Sequence, residues 1–310
     1  MKILLTGAAG FLGSHLSQEL LIRGHSIIGI DDLSTGTITN IESILHHPNF
    51  TFKKHDVRKP LQIEVDAILN FACPASPVHY QIDPVKTIET NFLGINNLLK
   101  LSRETGARIL QASTSEIYGD PTESPQVEKY WGNVNPIGIR SCYDEGKRAA
   151  ETLCFDFMRQ YGVDSRVVRI FNTYGPHMAV SDGRVVSNFI VQAIQNDDLT
   201  IYGDGKQTRS FCYVSDLVTG IIRLLELNQN PGTPINLGNP NEFTMIALAE
   251  SILEITKSKS QLKFETLPSD DPRQRKPDIS FAREFLGWEP KIELPEGISK
   301  TVNYFRKILL

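Results

Sequence analysis

The chain has 310 residues, of which 40% are hydrophobic and 22% charged, and its formal net charge is −4. That is the make-up of a globular protein with room for one large or two smaller cores. It carries no long basic run, so nucleic acid and anionic membrane are not expected partners, and no apolar stretch approaches the length of a membrane span.

Met1-Lys2 runs straight into ILLTG, which reads as a strand and not as a signal peptide. The expected location is the cytoplasm, with a longer, membrane-anchored parent as the alternative. KILLT (2–6), SIIGI (26–30), AILNFA (67–72), ARILQAS (107–113) and RVVRIFN (166–172) are apolar through both faces. That suits strands of a parallel sheet covered on both sides. FTFKKH (50–55) reads as a further strand, and segments 12–23, 85–105 and 144–161 read as helices. This βαβ rhythm predicts an α/β fold, a doubly wound parallel sheet of the Rossmann type. After about residue 172 turn signals crowd in: YGPH, SDGR, NDD, YGDGKQ, NQNPG, LGNPNEF and PSDDPRQRKPD. They mark a smaller α/β substrate-binding domain. The strand and apolar helix in SFCYVSDLVTGIIRLLEL return to the first domain. The expected domains are therefore 1–172 plus about 206–234, and about 173–205 plus 235–310.

Cys73, Cys142, Cys154 and Cys212 form no CxxC pair and read as reduced thiols, with Cys73 and Cys142 as small packing residues. The seven histidines lack zinc spacing, and no metal is expected.

Between the first strand and first helix lies Gly7-Ala-Ala-Gly10-Phe11-Leu12-Gly13. A dinucleotide pyrophosphate needs backbone N–H groups at a helix N-terminus, and glycines allow its close approach. Asp31 closes the second strand, 18 residues after Gly13. A carboxylate there accepts hydrogen bonds from a ribose 2′-OH and repels a 2′-phosphate. Asp31-Asp32, with no nearby Arg, predict NAD over NADP. Asp56-Val57 after the third strand are placed to meet the adenine.

Tyr143 and Lys147 form a YxxxK pair, which shares one helix face. A free tyrosine has a pKa of about 10 and is a poor base at neutral pH. A neighbouring ammonium is expected to lower it, and Lys147 also reaches the nicotinamide ribose. A polar cluster, Ser113-Thr114-Ser115-Glu116, precedes the pair by about 30 residues.

Together these features resemble the nucleotide-sugar-modifying branch of the extended short-chain dehydrogenase/reductase family, over essentially the whole length. The stretches that carry the resemblance are ACPASPVHYQIDPVKT (72–87), ASTSEIYGDP (112–121), YWGNVNPIGIRSCYDEGKR (130–148), RIFNTYGP (169–176), DGRVVSNF (182–189), YGDGKQTRSFCYVSDLV (202–218) and DDPRQRKPDI (270–279). The resemblance implies that Tyr143 takes the proton of a sugar 4-OH while NAD oxidises C4, with Thr114 on the same oxygen. It adds Ser34, Thr35, Ala72, Thr90 and Ala112 to the cofactor site. It also implies a UDP-sugar substrate contacted by Asn172, Arg184, Asn188, Gln207 and Arg209, with Tyr202 and Tyr213 bordering uracil or ribose. It implies a homodimer packed through 85–105 and 144–161.

Within the branch, dehydrating members carry Asp-Glu in the polar cluster, and epimerising members carry small hydroxyl residues. Ser115-Glu116 departs from both. It suits a uronic acid, whose C6 carboxylate lies β to a C4 ketone and leaves as CO₂ with no acid for a leaving group. The expected reaction is UDP-glucuronate to UDP-xylose through a 4-keto intermediate. The alternatives are 4,6-dehydration, 4-epimerisation, or decarboxylation that releases the 4-keto pentose. Glu116 beside the substrate carboxylate is expected to repel it, a repulsion that loss of neutral CO₂ relieves, or else to order a water or hydroxyl through Ser115. Arg275, in Arg-Lys-Pro, matches an arginine assigned to the substrate-carboxylate region, where it binds the carboxylate or guides a water.

Overall fold

The six strand-like runs become β1 (Lys2–Thr6), β2 (Ser26–Asp31), β3 (Phe50–Lys54), β4 (Ala67–Asn70), β5 (Arg108–Thr114) and β6 (Ser165–Ile170) in a computed structural model that describes residues 1–266 and 274–310. Shorter strands follow: β7 (Thr173–Tyr174), β8 (Leu199–Tyr202), β9 (Thr208–Ser210), β10 (Cys212–Tyr213), β11 (Ile235–Leu237), β12 (Glu242–Thr244), β13 (Leu262–Glu265) and β14 (Gln274–Arg275). The helices are α1 (Phe11–Ile22), α2 (Pro77–Tyr80), α3 (Pro84–Glu89), α4 (Ile95–Thr105), α5 (Ser141–Tyr161), α6 (Val185–Gln195), α7 (Val214–Glu226), α8 (Met245–Thr256), α9 (Ser280–Leu286) and α10 (Leu294–Leu309). Asp270–Arg273 of the DDPRQRKPDI motif lie outside the described residues.

Among the described residues the main sheet has seven parallel strands in the order β3-β2-β1-β4-β5-β6-β11. This is a Rossmann-type α/β fold. Strand order reverses between β1 and β4, and in such sheets ligands bind beyond the C-terminal ends of the strands at that switch. β4 is buried at every residue and β1 at all but Lys2, because helices cover both faces.

Two elements differ from the expected boundaries. The segment read as one helix over 85–105 is interrupted by a π-helical turn, Thr90–Gly94, between α3 and α4. There the Thr90 hydroxyl donates to the Lys86 carbonyl (2.7 Å) and the Asn91 amide to that of Thr87 (3.1 Å). Side chains thus take up carbonyls in the widened turn. The second difference is β11. It pairs with β6 in the register Ile235↔Val168, so the return to the first sheet continues through Leu237 and does not end near 234.

The second lobe contains a three-stranded sheet, β12-β9-β14, and the parallel pair β13-β8. Its core is continuous with the first. One buried apolar cluster runs from Ile3 and Leu5 of β1, through Leu217 and Ile221 of α7, to Ile298, Val302 and Phe305 of α10.

Candidate active site

The loop after β1 is shaped by exclusion. Gly7 has φ +70°, and a Cβ on it would stand 2.6 Å from the Phe71 carbonyl oxygen; one on Gly13 would stand 2.0 Å from that of Gly7. Gly10 opens α1 with no side-chain cap. The first N–H groups of α1 therefore keep no side-chain partner, and the positive end of the helix dipole faces a cavity of about 470 Å³. The Asp31 carboxylate, at the end of β2, accepts N–H bonds from Ala9 (3.0 Å) and Leu33 (2.8 Å). Burial pushes its carboxyl up and those two donors pull it back. Asp32 is not a bare acid: Lys86 of α3 pairs with it at 2.8 Å. These features fit a dinucleotide: an N-terminal anion cradle, then an acid for a ribose diol.

Every residue expected at the cofactor lines this cavity, from Gly7 through Ser34, Thr35, Asp56, Val57, Ala72, Thr90 and Ala112 to Tyr143 and Lys147. Thr114, Ser115, Glu116, Asn172 and Arg184 line it too. Arg184 pairs with Asp182 (2.7 Å) and stands 5.8 Å from the centre of the Phe11 ring, close to the glycine loop. Asn188, Tyr202, Gln207, Arg209 and Arg275 lie beyond the lining, in the second lobe. There the Gln207 amide donates to the Tyr202 carbonyl (2.6 Å) and that of Asn188 to Gly183 (3.0 Å). Packing keeps Tyr213 out of the cavity: its ring lies edge-on to Tyr174 at 5.6 Å, with Gly297 of α10 against both.

Tyr143 and Lys147 lie on the buried face of α5. The Tyr143 ring stacks on Tyr80 at 5.1 Å, with 4° between the planes, which fixes its orientation. The Lys147 Nζ donates to the Ala112 carbonyl (2.9 Å) and stands 5.7 Å from the Tyr143 ring centre. The expected lowering of the tyrosine is not what the protein groups produce. Burial drives the Tyr143 hydroxyl well above its ordinary range and Cys73 and Glu116 add to this, while the Thr114 hydroxyl works the other way. Burial also lowers Lys147. Desolvation dominates at both because both groups are almost fully enclosed.

Glu116 is reached through a 3₁₀ turn, Ser115–Tyr118, whose cap is Thr114: its hydroxyl accepts the Glu116 N–H at 3.3 Å. The Glu116 carboxylate is gripped by both terminal nitrogens of Arg275 and by the Arg140 Nη2 at 2.6 Å. Burial raises the Glu116 carboxyl, but the two guanidiniums more than offset it and hold the group below its ordinary value. The Glu116 charge, expected to repel a substrate carboxylate, is compensated at rest by these two guanidiniums. Asp144, in the first turn of α5, is pushed up to about 7 by burial and by Glu116.

Behind this cluster, Arg169 of β6 pairs with Glu151 of α5 (2.8 Å) and donates to the Tyr118 hydroxyl (2.9 Å). Glu151 accepts the Ser113 hydroxyl, and Tyr118 donates to Asn236 of β11 (2.8 Å). The network locks the end of β5, where Thr114 and Glu116 sit. Sequence reasoning missed Arg140, Lys86, His177, Tyr304 and Ile308; the last four line the cavity. His177 stacks on His15 of α1 at 4.6 Å, and its Nδ1 lies 2.8 Å from the Ser14 hydroxyl. Burial and His15 lower it to about 4, so it is neutral at pH 7. Among the described residues no group of three or more His, Cys, Asp or Glu could hold a metal, and no helix is long and apolar enough to cross a membrane.

Residues 3–238 match the model of the NAD dependent epimerase/dehydratase family. UDP-glucuronic acid decarboxylase 6 of Arabidopsis thaliana is 56% identical over 307 residues, 99% of this chain and 89% of that protein. UDP-glucuronic acid decarboxylase 1 of Xenopus tropicalis is 53% identical over 308 residues, 99% of this chain and 73% of that protein. The crystal structure of UDP-glucuronic acid 4-epimerase from Bacillus cereus, in complex with UDP-glucuronic acid and NAD, superposes with a TM-score of 0.88 at 27% identity, covering 99% of this chain and all of that one.

Proposed function

This chain belongs to the NAD dependent epimerase/dehydratase family, and we propose that it converts UDP-glucuronate to UDP-xylose by decarboxylation. The observation that carries the choice within the family is the Glu116–Arg275 pair. Arg275 already holds a carboxylate in a nearly dry site, and a uronic acid offers it another.

The chemistry NAD supplies when bound along the glycine loop is reversible two-electron oxidation at the sugar C4, together with a positive charge beside Tyr143. Tyr143 accepts the 4-OH proton, and Thr114 hydrogen-bonds the same oxygen. Lys147, tied to Ala112, is in reach of the Tyr143 ring and of a ribose. Arg275 turns from Glu116 to the C6 carboxylate and holds it while the C5–C6 bond breaks. Its electron pair flows into the C4 carbonyl as an enolate, steadied by Tyr143 and Thr114, and CO₂ leaves. C5 then takes a proton from water, and Tyr143 returns its own to the 4-oxygen as C4 is reduced. The UDP moiety is assigned to Asn172, Asn188, Arg209, Tyr202 and Gln207. Arg184, beside Phe11, bridges towards the cofactor end.

We assign a homodimer on the exposed apolar residues Ile82, Val85, Ile88, Phe92 and Leu93, close together in the chain from the turn before α3 through the π turn. A cytoplasmic location suits the four free cysteines.

The test is mass spectrometry of nucleotide sugars after incubation with UDP-glucuronate, with and without added NAD. The expected product is lighter by CO₂, with its 4-hydroxyl restored, and forms without added NAD. A 4-keto pentose with matching NADH would retain decarboxylation and remove the final reduction. No loss of CO₂ would overturn the assignment.

A further inference from the structure

Glu116 is held from two sides by cations of different origin. Arg275 comes from β14 in the second lobe, and Arg140 from the turn that opens α5. The Arg140 carbonyl accepts the N–H groups of Tyr143 (3.0 Å) and Asp144 (3.1 Å), so Arg140 is fixed to the first turn of the helix that carries Tyr143 and Lys147. Its side chain is 12% exposed and that of Glu116 14%. Glu116 lines the cavity and both arginines stand behind it, Arg275 on the side of the second lobe and Arg140 on the side of α5. The groups facing Glu116 are Arg275 from β14, Arg140, Tyr143 and Asp144 from α5 and the turn before it, and Tyr80 from α2. Among the described residues the Tyr80 hydroxyl and the Asp144 Oδ1 are buried without a hydrogen-bond partner. Neither of these atoms holds Glu116 at rest, so its hydrogen bonds from charged donors come from the two arginines.

When Arg275 turns to the sugar carboxylate, Glu116 loses two of its three charge-assisted hydrogen bonds. A buried carboxylate left without a cation takes up a proton or moves. We infer that Arg140 is a positioning residue: it keeps Glu116 seated and charge-compensated while Arg275 changes partner. The inference rests on the decarboxylase reading above. Arg275 then alternates between two carboxylates, that of Glu116 at rest and that of the sugar during the reaction. Arg140 makes the exchange cheap in the forward direction, because Glu116 does not depend on Arg275 alone. It makes it reversible, because Glu116 is still in place once CO₂ has gone.

The experiment is calorimetric titration of the NAD-loaded enzyme, in a Tyr143→Phe background that blocks turnover. UDP-glucuronate and UDP-glucose are the ligands, each in buffers of two ionisation enthalpies. With Arg140 present, the uronate is preferred. Arg140→Met is expected to shrink that preference at least 10-fold and to add close to one proton taken up per uronate bound at pH 7. Arg140→Lys should recover most of both, and UDP-glucose affinity should hardly move. An unchanged preference with unchanged proton uptake overturns the role. So does an equal loss for both ligands, which marks a merely structural residue, and so does a parent with no preference for the uronate. Melting curves identify a variant that does not fold, and Arg140→Lys and Arg140→Gln then carry the comparison. CO₂ release by the wild-type enzyme is scored separately. Its absence removes the decarboxylase reading while the ligand preference still reports on Arg140.

Discussion

Tyr143 is asked to work as a base in surroundings that oppose its ionisation. Burial, Cys73 and Glu116 all raise its pKa, so the enclosed ring gains a usable pKa only when positive charge arrives beside it. Tyr143→Phe keeps the stack on Tyr80 and removes only the hydroxyl. It is expected to lower kcat by about 10²–10⁴, the usual worth of general acid–base catalysis, with melting unchanged, as steady-state kinetics and circular dichroism will show. Asp144 gives a prediction of the opposite kind. Its folded-state value, about 7, lies above the unfolded 3.8, so the native state binds its proton more tightly. The stability this contributes is full below pH 3.8 and is lost as pH rises through 7. Asp144→Asn should therefore melt higher than wild type, with the gap widening between pH 5 and pH 8. A gap that stays flat over that range would show that the arginines keep Asp144 ionised in the fold.

Elements carry these groups, and what could be read of them from sequence depended on distance along the chain. Gly7 to Gly13 and Tyr143-Lys147 are local patterns, so spacing alone placed them on a loop and on one helix face. Arg140 meets Glu116 across 24 residues and Arg275 meets it across 159, and no periodicity reports such a pairing. Resemblance suggested Arg275; nothing in the sequence suggested Arg140. Lys86 escaped for the same reason, since its partner Asp32 is distant in the chain. Tyr213 was expected at the ligand because a tyrosine in a loop-rich stretch looks the same whether it packs or binds. The network behind β5 was equally hidden, since Ser113, Glu151 and Arg169 read as ordinary polar residues. Arg169→Met leaves Glu151 buried without its cation and should cost about 3–5 kcal/mol. Urea unfolding measures this, and a loss under 1 kcal/mol would show that water reaches the pair.

At the scale of the molecule, the continuous core from β1 to α10 predicts one cooperative unfolding transition for both lobes, not two. Differential scanning calorimetry decides this: two resolved peaks would show that the lobes fold independently. The apolar surface of α3 and the π turn predicts twice the chain mass by light scattering, and Ile82→Asp with Val85→Asp should halve it. The cavity has a consequence of its own. Gly7 and Gly13 form one wall, while Tyr304 and Ile308 of α10 form part of another. Synthesis runs from the first to the second, so the cavity cannot close until Tyr304 and Ile308 have been made. The nascent chain holds its nucleotide cradle open for nearly the whole of translation, and tight capture of NAD becomes a signal that α10 has emerged and docked.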